Sequence, residues 1–187
     1  IDAVVASSAI VMNLQSIVSR ELDPNEPTVV SVGSIKSGSR FNVIASEAIL
    51  EGTTRCFNPE IRDKFPKMIE RVAKNTANTY RADAELEYTR GTPVVINNAE
   101  CTKLAQNTAQ KVNLELESFE KLSCGEDFGE FMNRVPGVLA LLGVRNEKKG
   151  ACYAQHHPKY QVDEEALEKG TALYAQYAID FLNHNNA

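Results

Sequence analysis

Between residues 2 and 88 the apolar spacing alternates between helical and strand periods in the order α-β-β-α-β, and few packed architectures accept that order. A helix over 2–22 follows from Ile10, Leu14 and Ile17 at helical spacing, with Val11 and Val18 beside them. Asp2 suits its N-cap, and Asp23-Pro24-Asn25-Glu26-Pro27 stops it. Thr28 to Ile35 is β-branched and predicts a strand; Lys36 to Ser39 reads as a polar turn and Phe41 to Ile44 as a short extended piece. Ala48 to Phe57 alternates as a second strand. Asn58-Pro59 is a helix start, with Asn58 at the cap and Pro59 at the first helical position. That helix runs to about Tyr80 with Phe65, Met68, Ile69 and Val72 on one face, and Ala84, Leu86 and Tyr88 mark a third strand over 82–88. A β-α-β-β-α-β unit lays helices on a sheet, and residues 1–95 fit that α+β, ferredoxin-like unit with its first strand missing ahead of Ile1.

Arg90-Gly91-Thr92-Pro93 changes the composition and divides this block from residues 96–187. The second block predicts helices over 99–112, 127–132 and 163–182, and one apolar strand over 138–144. One strand and several helices make no convincing core, so this block is expected to complete a sheet whose other strands lie elsewhere. His184 falls in a polar tail, Asn183 to Asn186, expected to be disordered.

Composition narrows the function classes. The chain has 187 residues, 43% hydrophobic and 24% charged, as in soluble globular proteins. A net charge of −5 without a Lys/Arg cluster argues against nucleic acid or an anionic membrane as partner. No apolar run is expected to reach the roughly 20 residues that span a bilayer. Cys56, Cys101, Cys124 and Cys152 form no C-x-x-C pair and read as free thiols in a reducing, cytoplasmic setting.

Four segments in order carry a resemblance. They are Ile1 to Ala6 continuing through Gln15 to Arg20; Gly38 through Asn42-Val43-Ile44 to Glu51-Gly52-Thr53-Thr54-Arg55; Gly125-Glu126-Asp127-Phe128 with Pro136-Gly137 and Leu142-Gly143; and His156-His157-Pro158-Lys159-Tyr160 with Asp163-Glu164. Together they resemble M20 amidohydrolases, the aminoacylase-like and hippurate-hydrolase-like enzymes. Two positions depart from that pattern. Ala45 stands where Pro usually follows Asn-Val-Ile, and Gln155-His156-His157-Pro158 stands for Leu-His-Ser/Asn-Pro.

The resemblance implies a lid or dimerisation domain over 1–95, followed over 96–187 by the C-terminal part of a zinc-peptidase-like α/β catalytic domain whose N-terminal half lies outside the chain. It implies a homodimer through the lid, and an N-acyl amino acid or dipeptide-like substrate. It also implies two divalent metals (zinc, manganese, cobalt or nickel) that activate a water, with the general-base glutamate outside the chain. His156, two before Pro158, is the implied metal ligand. Adjacent side chains of an extended segment point opposite ways, so His157 is expected near the active site, facing solvent or substrate while His156 faces the metal. Glu126 and Asp127 would shape the same region, although acids at a helix start need no function. Asn42 and Arg55 are the implied substrate contacts: an arginine fork matches a carboxylate, and an asparagine N–H suits a carboxylate or developing oxyanion. With one ligand-like histidine, the chain alone is expected to be inactive. The rival reading is a non-catalytic dimerisation or small-molecule-binding α/β module, which fold alone does not separate from an enzyme.

Overall fold

The computed structural model describes residues 1–185, which divide into two compact units. The first comprises Ile1–Val94 with Leu122–Gly125; the second comprises 95–121 and 126–185.

Unit 1 opens with helix α1 (Ala3–Ser16), whose final turns widen into a π-helical turn at Ile17–Glu21. The single helix expected over 2–22 is therefore two geometries in succession. Asp2 accepts from the N–H groups of Val4 and Val5, and the Ala45 carbonyl accepts from Ala3 N–H at 3.1 Å. Donors left over at a helix start are thus satisfied locally. One face, Ala3, Ala6, Ser7, Ile10 and Leu14, is buried, and Ile17 is completely so. The stretch Ala3–Glu21 has 19 residues and a mean hydropathy of 1.2, long and apolar enough to cross a membrane, which corrects the sequence expectation. Core helices of soluble proteins pass the same test, and this one packs against α2 (Pro59–Thr79).

Helix α2 begins as its sequence dictates. The Asn58 side chain accepts from Glu60 N–H at 2.9 Å, and Pro59 occupies a position where a missing N–H costs nothing. Ile61, Phe65 and Val72 face inward and join Ile10, Leu14, Ile17, Val30 and Ala77 in one core, with Met68 and Ile69 partly buried against it. Asn13 Nδ2 donates to the buried Thr76 hydroxyl at 3.0 Å, fixing α1 against α2.

The strands β1 (Thr28–Ser37) and β2 (Ala48–Cys56) pair antiparallel, from Thr28 opposite Cys56 to Ser37 opposite Ala48, with a bulge between Val32 and Ser34. Gly52 faces Val32 at this bulge, where a β-carbon would lie 2.4 Å from the Ser31 carbonyl, so the close approach requires glycine. Lys36 and Ser37 extend β1 instead of turning, and residues 41–43 form a turn and bend, so the expected extended piece over 41–44 does not form.

The expected third strand is absent among the described residues. Over 82–88 burial alternates, with Ala82, Ala84 and Tyr88 against the core and Asp83, Glu85 and Glu87 outside, but no neighbouring strand supplies a ladder. Alternation records which face is inward, and a strand also needs a hydrogen-bonding partner. The Tyr88 hydroxyl instead meets that of Thr54 at 2.8 Å.

Unit 2 holds α3 (Ala99–Lys111), the short α4 (Phe128–Met132), a 3₁₀ turn at Glu147–Lys149 and α5 (Glu165–Asn185). His184 lies within α5, so the expected disorder does not begin there; Asn186 lies outside the described residues. The expected strand over 138–144 also has no ladder, for the same reason as 82–88. Its Leu139 is held by a side chain: Asn97 donates to the Leu139 carbonyl and accepts from its N–H. The buried residues here are small or polar (Cys101, Thr108, Ala109, Ala151, Ala166 and Asp180), while Leu116, Phe119, Leu141 and Ile179 are exposed.

Candidate functional site

The sequence candidates divide between the units. In unit 1, Asn42 sits exposed in the 40–43 turn, where Val43 N–H reaches the Arg40 carbonyl at 3.3 Å. Gly38, at φ +75°, lets the chain leave β1, and the Ser37 hydroxyl donates to the Glu47 carbonyl at 2.7 Å, closing the 38–47 excursion. Beside it lies a shallow depression lined by Asp2, Val4, Phe41 and Ala45. Arg55 projects outward from β2, between the inward Thr54 and Cys56. Its Nη1 donates to the Ser123 carbonyl at 2.8 Å. A guanidinium carries five donors, so that contact leaves most of the fork available. Cys56 behaves as a structural thiol: burial raises its pKa, and its Sγ lies 3.4 Å from the Asn58 carbonyl.

In unit 2, Glu126 and Asp127 stand at the start of α4. Glu126 accepts from Phe128 N–H at 3.1 Å, a local capping bond, and Asp127 is the N-cap residue without a side-chain capping bond. Their geometry is that of the plain helix-start reading.

The histidines sit on a loop whose base is tied in several places. Asn146 and Ala151 form an antiparallel bridge, turned by Gly150 at φ +81°. Arg145 Nη1 donates to the Cys152 carbonyl at 3.0 Å. Asp163 accepts from Lys149 at 2.7 Å and from Asn146 at 2.7 Å, and both bonds hold its carboxyl below the usual range. At the tip, His156 has φ +69°, left-handed for a residue with a β-carbon, and its exposed imidazole makes no hydrogen bond to the other described residues. His157 is occupied. Its ring stacks on Tyr153 at 4.5 Å between centroids and 12° between planes, and its Nδ1 accepts from Lys159 N–H at 3.1 Å. Tyr153 and Lys159 were not legible as its partners, because contacts across an irregular turn leave no period in the sequence.

Among the described residues no three His, Cys, Asp or Glu side chains converge to hold an ion. The described residues therefore form no closed metal centre by themselves. The exposed, unengaged ring of His156 fits one ligand position of an imidazole-binding metal.

The sequence model of peptidase family M20/M25/M40 matches residues 6–180, nearly the whole chain. "Thermostable carboxypeptidase 2" of Saccharolobus solfataricus is 33% identical over 184 residues, 98% of this chain and 47% of that protein. "N-acetyldiaminopimelate deacetylase" of Bacillus pumilus is 35% identical over 177 residues, 94% of this chain and 46% of that protein. Among solved structures, the YXEP protein of Bacillus subtilis, named a dinuclear metal binding peptidase from the M20 family, superposes with a TM-score of 0.82. It shares 30% identity over 98% of this chain and 47% of its own. The mixed helix-and-sheet fold and these matches place the molecule in one class: the chain belongs to the peptidase family M20/M25/M40. It spans about half the length of the curated relatives it matches.

Proposed function

We propose that the protein to which this chain belongs hydrolyses the amide bond of N-acyl amino acids or small peptide-like compounds, using two divalent metals. The family match over residues 6–180 carries this reading, and relatives named as deacetylases and carboxypeptidases support it. Divalent metals, when bound, polarise the amide carbonyl and lower the pKa of a water.

This chain's own residues do three things in that reading. His156 supplies one neutral nitrogen ligand. Arg55 offers its planar fork to the substrate carboxylate, with the Ser123 carbonyl fixing one end of the guanidinium. Asn42 presents an amide N–H from an exposed turn, suited to a developing oxyanion. The face of α1 that carries Ala6, Ile10 and Leu14 is used up in the core, so a homodimer would form through the open edges of the β1–β2 ribbon, and Asn42 would then be free to act on the neighbouring subunit's site.

The decisive measurement is metal content in the full-length protein. His156→Ala should lose metal and most of kcat, and His157→Ala should lose less, because the Nδ1 of His157 is already committed to Lys159. Greater metal loss for His157→Ala would reverse the assignment.

A further inference from the structure

We propose that His157 is a positioning residue: stacked on Tyr153 and bonded to the Lys159 backbone, it holds the turn that presents His156. This rests on the reading of His156 as a metal ligand.

The first observation is the backbone of His156. Left-handed φ is uncommon for a residue with a β-carbon and persists only where its surroundings impose it. At φ +69° His156 occupies that region, with no side-chain hydrogen bond of its own to hold it there. The constraint therefore comes from its neighbours.

Those neighbours converge on position 157. The His157 N–H donates to the Ala154 carbonyl at 3.1 Å, and the His157 carbonyl accepts from Tyr160 N–H at 2.9 Å. Two consecutive turns thus share this one residue. Pro158 has no N–H and disfavours the helical conformation at 157. Lys159 N–H is the next donor along the chain, and the ring Nδ1 takes it at 3.1 Å. A nitrogen accepting a hydrogen bond is the unprotonated one, so the neutral ring carries its proton on Nε2. The Tyr153 ring lies parallel to the imidazole at 4.5 Å, and Lys159 Nζ lies 5.8 Å from the centre of the Tyr153 ring. One side chain therefore closes the turn from inside while the ring four residues earlier blocks its rotation.

The base of the loop is fixed independently, by the Asn146–Ala151 bridge, the Arg145–Cys152 bond and the anchors on Asp163. His156 is then the exposed residue at the tip with a free ring, between a pinned base and a locked turn. A ligand whose backbone is already set loses less conformational freedom when it binds, so the lock raises metal affinity without touching the metal.

The test uses the full-length protein and Mn²⁺ as probe, with affinity from equilibrium dialysis and the exchange rate of the Lys159 amide as a second readout that needs no metal. His157→Ala and Tyr153→Ala should each weaken Mn²⁺ binding about ten-fold, the lower end for residues that support a ligand. His157→Ala should also speed exchange at Lys159. His157→Asn should restore both, because an asparagine oxygen accepts from the N–H two residues on. Tyr153→Phe, which keeps the ring, should bind as the parent does, and if His157→Ala fails to fold the two Tyr153 variants decide. His156→Ala separates the two readings. If it retains all its metal, the ligand assignment fails. If it loses metal while His157→Ala binds like the parent, or if His157→Asn is no better than His157→Ala, the positioning role is overturned and the ligand assignment stands.

Discussion

The side chain of Asn97 pairs with the backbone of Leu139 as a neighbouring strand would, donating to its carbonyl at 3.0 Å and accepting from its N–H at 2.9 Å. Asn98, one residue on, caps α3 and donates its own N–H to the Gly137 carbonyl at 2.9 Å. Two consecutive asparagines thus tie the 137–139 segment to the start of α3.

Asn97→Ala removes two hydrogen bonds and should destabilise unit 2 by roughly 1–2 kcal/mol. Asn97→Asp keeps the acceptor but sets an anionic oxygen against the Leu139 carbonyl, so it should not rescue. Urea unfolding of the three proteins checks this, and an Asp variant as stable as the parent would show that the donor half of the pair is unimportant.

Acid sensitivity should concentrate between α3 and α5. Lys111 first, then Thr108 and Gln176, donate to the Asp180 carboxylate and hold its pKa down to about 2. The unfolded chain titrates this group near the usual value of about 3.9. A depressed folded pKa stabilises above the unfolded value and loses that contribution as pH falls through the folded one. The window is therefore about pH 4 down to 2. Melting temperatures of the parent and Asp180→Asn should differ by a constant amount at neutral pH and converge across that window. Parallel curves down to pH 2 would show that Asp180 is not a source of the acid lability.

Substrate recognition separates Arg55 from Asn42. A charge-assisted hydrogen bond contributes about 1.5–3 kcal/mol, which is on the order of 10- to 150-fold in kcat/KM. Arg55→Ala in the full-length protein should cost that much for an N-acyl amino acid and far less for its amide. Asn42→Ala should lower kcat for both. Equal losses for Arg55→Ala on the two substrates would reduce its role to the bond it makes with the Ser123 carbonyl.

Assembly is checked by light scattering on the full-length protein. The expected mass is that of a dimer with the same patch on both subunits, and a monomer at high micromolar concentration would remove the proposed contribution of Asn42 across the interface.

Local chemistry in the sequence marked the structure where one residue decides its own surroundings. Asp2 and Asn58 cap the helices they were expected to cap, and the alternation over 48–57 produces β2. The same alternation over 82–88 produces burial without a ladder, because pairing depends on a second backbone that the alternation does not contain. The turn at 40–43 leaves no signature in the sequence, because Phe41, Val43 and Ile44 have strand-forming side chains, yet all three are exposed. The family pattern singles out His156, Asn42 and Arg55 as candidates, whereas composition alone favours surface roles for them. That His157 is engaged and His156 is not depends on the ring of Tyr153 and the N–H of Lys159, which only the folded turn brings together.

The two-stranded ribbon has a practical consequence for anyone handling this polypeptide. Among the described residues each of its strands has one edge without a strand partner, and Val29, Ile35 and Ile49 lie exposed on its outer face at 41%, 47% and 58%. Open, apolar edges template pairing with other chains, so concentrated solutions should be prone to aggregation. Position 49 is the place to blunt that tendency: it lies directly across from Lys36, which already pairs with Glu51 at 3.0 Å, so Ile49→Glu would replace an adhesive side chain with a second carboxylate beside that ion pair.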